Sequence, residues 1–305
     1  MPISSTIRAL LHHPIGRRQR VRTLLRFGGW QLRWRLWHRR RPWPFRFVND
    51  TRLYARGGEY GVTGNIYFGL HEIEHMALLA HLVREGDRVL DVGANSGTYS
   101  ILAAGCGCRV TAFEPSPTAV ERFCENVALN GFGGQVQLVQ SAVGATTGTV
   151  RFTRGLDTTN RMASAEDLDE ATISVPMTSL DVIKKELASP SLALKIDVEG
   201  HEAAVLAGSI DTLADPDLRV IILETTTGPD APTVPTTGRS PVESLTLLGF
   251  VLCRYDPFSR QLEPVAEAEA RNSLHNVAAV RDLEWARERV RAAPALRLPR
   301  LGISL

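Results

Sequence analysis

The sequence predicts an α/β domain built on a largely parallel sheet with helices on both faces. Three observations carry that expectation. From residue 73 onward, helical and strand-like apolar patterns alternate, with no internal repeat. The apolar run Val89-Leu90-Asp91-Val92 turns at once through Gly93-Ala94-Asn95-Ser96-Gly97 into a helical pattern. The next strand, Val110-Thr111-Ala112-Phe113, closes on Glu114, 23 residues beyond Asp91. The composition agrees: 305 residues, 44% apolar and 22% charged, with 25 glycines, suit a globular chain with a sizeable core and exclude disordered or collagen-like classes.

The elements follow in order. Residues 1–44 form a basic unit in which arginines from Arg17 to Arg41 interleave with Trp30, Trp34, Trp37 and Trp43. Trp30, Trp34 and Trp37 recur at helical spacing, so a basic amphipathic helix ended by Pro42 and Pro44 is expected. Such a segment suits an anionic membrane or a nucleic acid. It equally suits packing of its aromatics on the body, its arginines facing the body's negative charge. Residues 45–56 read as extended and lead through a glycine-rich turn to the body. The pattern then predicts helix 71–83, strand 89–92, helix 98–104, strand 110–113, helix 117–130 and strand 136–139. Short strands at 150–153 and 173–176 flank a polar, loop-like insertion at 155–170. Strand 192–198, helix 201–207 closed by Gly208, buried strand 220–223 and helix 241–248 ended by Gly249 come next. Strands 251–255 and 276–280 and a charged helix at 283–292 complete the chain.

Charge and cysteine content narrow the classes. Residues 1–50 hold 12 arginines against the single acid Asp50, leaving 23 basic against 32 acidic residues in the remainder. Cys106, Cys108, Cys124 and Cys253 are too few and too uneven for a disulfide framework, and Cys106-Gly107-Cys108 lacks C-x-x-C spacing, so reduced thiols are expected. No apolar run approaches the roughly 18 residues of a spanning helix, and the start lacks the apolar region of a signal peptide. The expected location is the cytoplasm, with peripheral membrane contact through the basic segment left open.

The chemistry concentrates at the strand ends. Gly93 and Gly97 permit a tight bend that lets backbone approach a ligand, and the following helix offers unpaired N–H groups. Glu114 lies where a Rossmann-like site places its ribose-binding carboxylate. A dinucleotide site wants G-x-G-x-x-G so that a pyrophosphate rests on bare backbone. Here Asn95 takes the middle glycine position and Asp91 adds a negative charge, which suits a ligand with a cationic amino acid end; S-adenosylmethionine fits that description. A plain strand-to-helix turn, with Glu114 a surface acid, is the competing reading.

Taken in order, Asp91-Val92-Gly93-Ala94-Asn95-Ser96-Gly97, Phe113-Glu114-Pro115, Asn126 with Asn130-Gly131, Ala142-Val143-Gly144 and Leu194-Lys195-Ile196-Asp197-Val198-Glu199-Gly200-His201-Glu202 resemble the FkbM-type S-adenosylmethionine-dependent methyltransferases over about residues 65–280. The resemblance implies a class I methyltransferase fold, a seven-stranded sheet with its last strand antiparallel, and O-methylation of a hydroxyl on a sugar, glycan, polyketide or other small metabolite. It also implies that Asp91, Gly93 and Asn95 line the methionine end of the cofactor with Gly97 in the same turn, that Glu114 binds the ribose, and that Ser141 and Ala142 edge the adenine. The expected division is an N-terminal segment at 1–60, the methyltransferase domain at 61–282 and a C-terminal helix and tail at 283–305. The basic head lies outside the match.

Strand 192–198 delivers Asp197, Glu199 and His201 to the carboxyl edge of the sheet, where open α/β sheets bind ligands. His201, Asp197 or Glu199 is the expected base, no metal is assigned, and Lys195 and Glu202 read as a structural pair or loop anchors. Glu72 and Glu74, near Tyr67 and His71, read as a solvated helix face or a cap on the acceptor pocket, and Asp157, Thr158, Thr159 and Asn160 as a polar loop. Three alternatives stay open: a metal-dependent O-methyltransferase with Asp197, Glu199 and Glu224 around Mg²⁺; an RNA methyltransferase gripped by the basic head; and a non-catalytic scaffold. Against the second, the strand ends Ile-Asp-Val-Glu where an Asn/Asp-Pro-Pro-aromatic motif serves exocyclic amines.

Overall fold

The computed structural model describes residues 3–38, 41–57, 59–153, 161–162, 171–225, 233–235, 237–273 and 276–305. Helices α1 (Ile3–His12), α2 (Pro14–Arg18) and α3 (Arg20–Arg33) open the chain, and α3 runs on into a π-helical turn at Trp34–His38. The extended stretch becomes an antiparallel hairpin of β1 (Trp43–Arg46) and β2 (Arg52–Ala55). Trp30 packs inward on Trp43, ring centroids 5.8 Å apart, and the Arg33 guanidinium covers Trp43 at 4.8 Å. The inner face of the basic segment is therefore committed to the body.

Next come α4 (Tyr60–Phe68), α5 (Ile73–Leu82), β3 (Arg88–Val92), α6 (Thr98–Gly105), β4 (Arg109–Phe113), α7 (Pro117–Asn130) and β5 (Val136–Val139). A small sheet of β6 (Ala142–Val143), β7 (Gly148–Thr153) and β8 (Thr172–Thr178) follows. The second half runs α8 (Leu180–Lys184), β9 (Ala193–Ile196), α9 (Glu202–Ala207), α10 (Ile210–Ala214), β10 (Val220–Glu224), α11 (Pro241–Leu247), β11 (Val251–Asp256), β12 (Gln261–Pro264), α12 (Glu267–Ser273), β13 (Asn276–Val280) and α13 (Leu283–Arg291). A two-strand ribbon, β14 (Arg297–Leu298) with β15 (Ile303–Ser304), ends the chain.

The main sheet has the order β12-β11-β13-β10-β9-β3-β4-β5. Strands β10, β9, β3, β4 and β5 are parallel, and β13 is antiparallel to both β10 and β11. This is the class I methyltransferase arrangement with one addition, an eighth strand where seven were expected. After β11 the Asp256 carboxylate accepts from the Phe258 N–H and the Ser259 hydroxyl. Arg260 then adopts φ 56° and turns the chain back as edge strand β12. Side-chain alternation divides the core between the two faces. Val89, Val110 and Ile222 pack toward α5, α6 and the hairpin, and Leu90, Leu194 and Ile221 pack toward α9 and α11.

Helix α4 stands where only a glycine-rich turn was expected. Gly64 serves packing: a Cβ there would lie 2.3 Å from the His71 ring. Strand β9 ends at Ile196, two residues short of the expected 198. Most of the insertion at 155–170, with Asp157, Thr158, Thr159 and Asn160, lies outside the described residues. No helix among the described residues is long and apolar enough to cross a membrane.

Candidate active site

Parallel pairing brings β3, β4, β9 and β10 to one edge, where a cavity of about 270 Å³ opens. Asp91, Gly93, Asn95, Glu114, Ser141, Ala142, Asp197 and Glu199 all line it. Gly97 does not: with φ 88° it caps α6 and backs onto Phe123, 2.9 Å from where its Cβ would be. His201 is also outside the lining, at the N-cap of α9.

Gly93 sets the geometry. At φ 78° a Cβ there would lie 1.7 Å from the Asp197 carbonyl oxygen, so its absence lets the turns after β3 and β9 touch. The Asp197 N–H still donates to the Val92 carbonyl at 3.0 Å although β9 has ended. The chain then passes through Glu199 at φ 50° and Gly200 at φ 92°. Glu202 holds this loop, its Oε1 accepting from the N–H groups of Val198 and Gly200 at 3.3 and 3.0 Å. The loop swings Glu199 back, and one oxygen from each of Asp197, Glu199 and Glu224 falls within 4.8 Å of the others.

Asp91 is 1% exposed. The Ser100 hydroxyl donates to its Oδ2 at 2.6 Å, while the buried Oδ1 has no partner. Burial raises its pKa against the attraction of Lys195. Glu114 accepts from the backbone N–H groups of Asn95 and Ser116 at 2.9 and 2.8 Å. Burial nevertheless outweighs these bonds and pushes it up to about 7. Ala142, Val143, Phe152 and Met162 give the cavity an apolar wall beside Ser141. The Ser141 hydroxyl is spent on the Pro176 carbonyl at 3.0 Å.

At the other end Lys195 is buried and bonds Asp197 Oδ2, its ammonium 5.0 Å from the Tyr99 ring centre. Burial opposes the lysine's charge, yet Asp197, Glu72 and Asp91 together raise its pKa. Burial also pushes Asp197 up, but the Lys195 ammonium and the bond from Glu224 overcome it and hold Asp197 below the usual range. Glu224 is pushed up to about 10 by burial and by the facing Asp197, so it carries a proton at neutral pH. Glu199 is raised by burial, then by Asp197 and Glu202.

Lys195 is thus a cavity residue paired with Asp197 and not with Glu202; of the two expected readings, a structural pair or loop anchors, Glu202 fits the second. Glu72 also lines the cavity: the Tyr99 hydroxyl donates to its Oε2 at 2.5 Å and Asn276 Nδ2 to its Oε1 at 3.3 Å. Asn126, buried in α7, fastens the glycine turn from outside. Its Nδ2 donates to the Ser96 carbonyl and its Oδ1 accepts from the Tyr54 N–H, both at 2.8 Å.

The site suits a cationic, adenosyl-bearing cofactor. An unpartnered carboxylate oxygen, a glycine cradle that a Cβ would fill, a carboxylate at the next strand end and an apolar wall lie in one cavity. Seven carboxyl side chains line it against one ammonium, that of Lys195, among the described residues.

Comparison with known proteins points the same way. The methyltransferase FkbM domain model matches residues 91–244. The hexuronic acid methyltransferase AglP of Haloferax volcanii is 28% identical over 159 residues, which are 52% of this chain and 64% of that protein. The 31-O-demethyl-FK506 methyltransferase FkbM of Streptomyces tacrolimicus is 31% identical over 176 residues, with 47% of this chain and 66% of that protein covered. The chain therefore spans just under two thirds of each. A solved methyltransferase FkbM from Methylobacillus flagellatus superposes with TM-score 0.41 at 12% identity, over 72% of this chain and 53% of that one. With the domain model spanning half the sequence, from Asp91 within β3 through the whole carboxylate edge, the chain belongs to the FkbM methyltransferase family.

Proposed function

We propose that the chain is an S-adenosylmethionine-dependent O-methyltransferase acting on a hydroxyl of a sugar, glycan or other small metabolite. The observation that carries this is the pairing of Asp91, with its buried unpartnered oxygen, and Glu114 in one cavity with the Asp197, Glu199 and Glu224 carboxyls. S-adenosylmethionine supplies an activated methyl group on a cationic sulfur. Asp91, Gly93 and Asn95 hold its amino acid end, Glu114 its ribose hydroxyls, and Ser141 and Ala142 the edge of the adenine. Because the donor arrives activated, positioning of the acceptor oxygen is the main task, worth up to about 7–11 kcal/mol in favourable cases.

A general base adds roughly 10²- to 10⁴-fold. Of the three expected candidates, Glu199 is best suited: it lines the cavity and its pKa is raised. Asp197 is held ionised and bonded by Lys195, which makes it a weaker base. His201, outside the lining, is the weakest. Asp197, held ionised, and the remaining acidic lining of the cavity favour a sulfonium over an anion, which supports a neutral hydroxyl acceptor. Incubation of the full chain with methyl-labelled S-adenosylmethionine and a panel of sugar, glycan and lipid-linked hydroxyl compounds should place label on oxygen. Label on nitrogen, or none with any acceptor, would overturn this function.

The convergence of Asp197, Glu199 and Glu224 favours a second reading, a metal-assisted O-methyltransferase. The Asp197 and Glu199 carboxylates, joined by Glu224 once an ion displaces its proton, suit a hard divalent cation, which would lower the pKa of a bound acceptor hydroxyl. Activity lost in EDTA and restored by Mg²⁺ supports it; an unchanged rate in EDTA contradicts it.

A further inference from the structure

With Trp30 buried inward and Thr23 fully covered, the opposite side of α3 carries an apolar stripe facing solvent. Val21 is 70% exposed, Leu25 69%, Leu32 61% and Leu36 60%. The spacing of Val21, Leu25 and Leu32, i, i+4 and i+11, runs along one face of α3, with Gly28 and Gly29 filling the gap between Leu25 and Leu32, and Leu36 follows on the π-helical turn. Arg20, Arg22 and Arg35 flank it, all exposed and without an ion pair among the described residues. Exposed leucines at this density mark an interaction surface. The helix is firmly seated beneath it: Arg26 Nε donates to the Tyr67 carbonyl of α4 at 2.8 Å, and Gly57 lies so close to Trp34 that a Cβ would fall 2.0 Å from the indole.

We propose that the outer face of α3 docks the protein on an anionic lipid surface. Charge complementarity selects this occupant. The first 50 residues hold 12 arginines and one acid, so a second copy meeting the same face would bring like charges together. A nucleic acid would use the arginines but leaves the leucines unexplained. A helix lying in a bilayer interface uses both, leucines in the acyl boundary and arginines at the headgroups. The face is independent of the catalytic cavity.

Sedimentation of the full chain with vesicles tests this. Phosphatidylcholine vesicles containing 30% phosphatidylglycerol should bind at least roughly tenfold more tightly than neutral vesicles, and high salt should weaken the binding. Leu25→Glu with Leu32→Glu should abolish binding while leaving the far-ultraviolet circular dichroism and the S-adenosylmethionine affinity unchanged; Arg20→Gln with Arg22→Gln should weaken it on anionic vesicles alone. Equal or absent binding to both vesicle types would overturn the proposal, as would a leucine variant that still binds. A dimer in solution dissolved by the leucine changes, or retention on a single-stranded oligonucleotide that they leave intact, would also overturn it.

Discussion

Asp91→Asn should raise the stability of the free protein and weaken cofactor binding. In the free protein Asp91 Oδ2 is satisfied by Ser100, whereas Oδ1 is buried with no partner. The raised pKa means that burial costs the charged form more than Lys195 returns. The amide oxygen of asparagine can keep the Ser100 bond while the buried charge is removed. Relief of about 1–2 kcal/mol is expected, a rise of roughly 2–6 °C in Tm for a chain of this size. In the proposed function the same oxygen accepts from the cationic amino group of the cofactor, and such charged bonds contribute about 1.5–3 kcal/mol. The variant should therefore bind S-adenosylmethionine about 10- to 150-fold more weakly. Scanning calorimetry and titration calorimetry on the same preparation read both effects. A variant that melts below the parent, or binds as tightly, would refute the placement of this carboxylate.

Three further outcomes follow from the same geometry. Gly93→Ala places a methyl 1.7 Å from a carbonyl oxygen at φ 78°; it should destabilise by about 2–4 kcal/mol in urea unfolding and impair donor binding more than the stability loss explains. Glu199→Gln should lower turnover roughly 10²- to 10⁴-fold with donor affinity unchanged, whereas His201→Ala should keep most of the turnover; initial rates and donor titrations separate the two. Glu114 titrates near 7 in the folded protein against 4.5 ordinarily, so its contribution to stability is greatest below pH 4.5 and is lost as pH rises through 7, by about 3 kcal/mol in all. Urea unfolding at pH 5 and pH 8, which span most of that loss, should show about 2.5 kcal/mol less decline in Glu114→Gln than in the parent.

What the sequence makes legible is local. Asp91, Gly93 and Glu114 announce themselves because a strand, its turn and the next strand end lie within 24 residues and each demands a residue type. Glu224 is readable as the polar end of an apolar strand. The Tyr99–Glu72–Asn276 network is not, because its partners stand 27 and 204 positions apart and meet only through tertiary packing. Nor does Val198-Glu199-Gly200 reveal that Glu199 itself takes a left-handed backbone; Gly200 is its only signal. His201 looks equivalent to Asp197 and Glu199 by alternation, but β9 ends at Ile196 and alternation ends with it. Helix α4 escaped because its glycines resemble a turn until His71 is packed against Gly64. Trp30 marks the inward face of α3, and the outward face is visible only once that face is covered.

The most direct test of the account is a crystal structure of the full chain with S-adenosylhomocysteine. The account predicts the amino acid end against Asp91 and Gly93, both ribose hydroxyls on Glu114 and the adenine edge beside Ser141 and Ala142. Ligand bound elsewhere, or a cavity closed by its own side chains at saturating ligand, would contradict it.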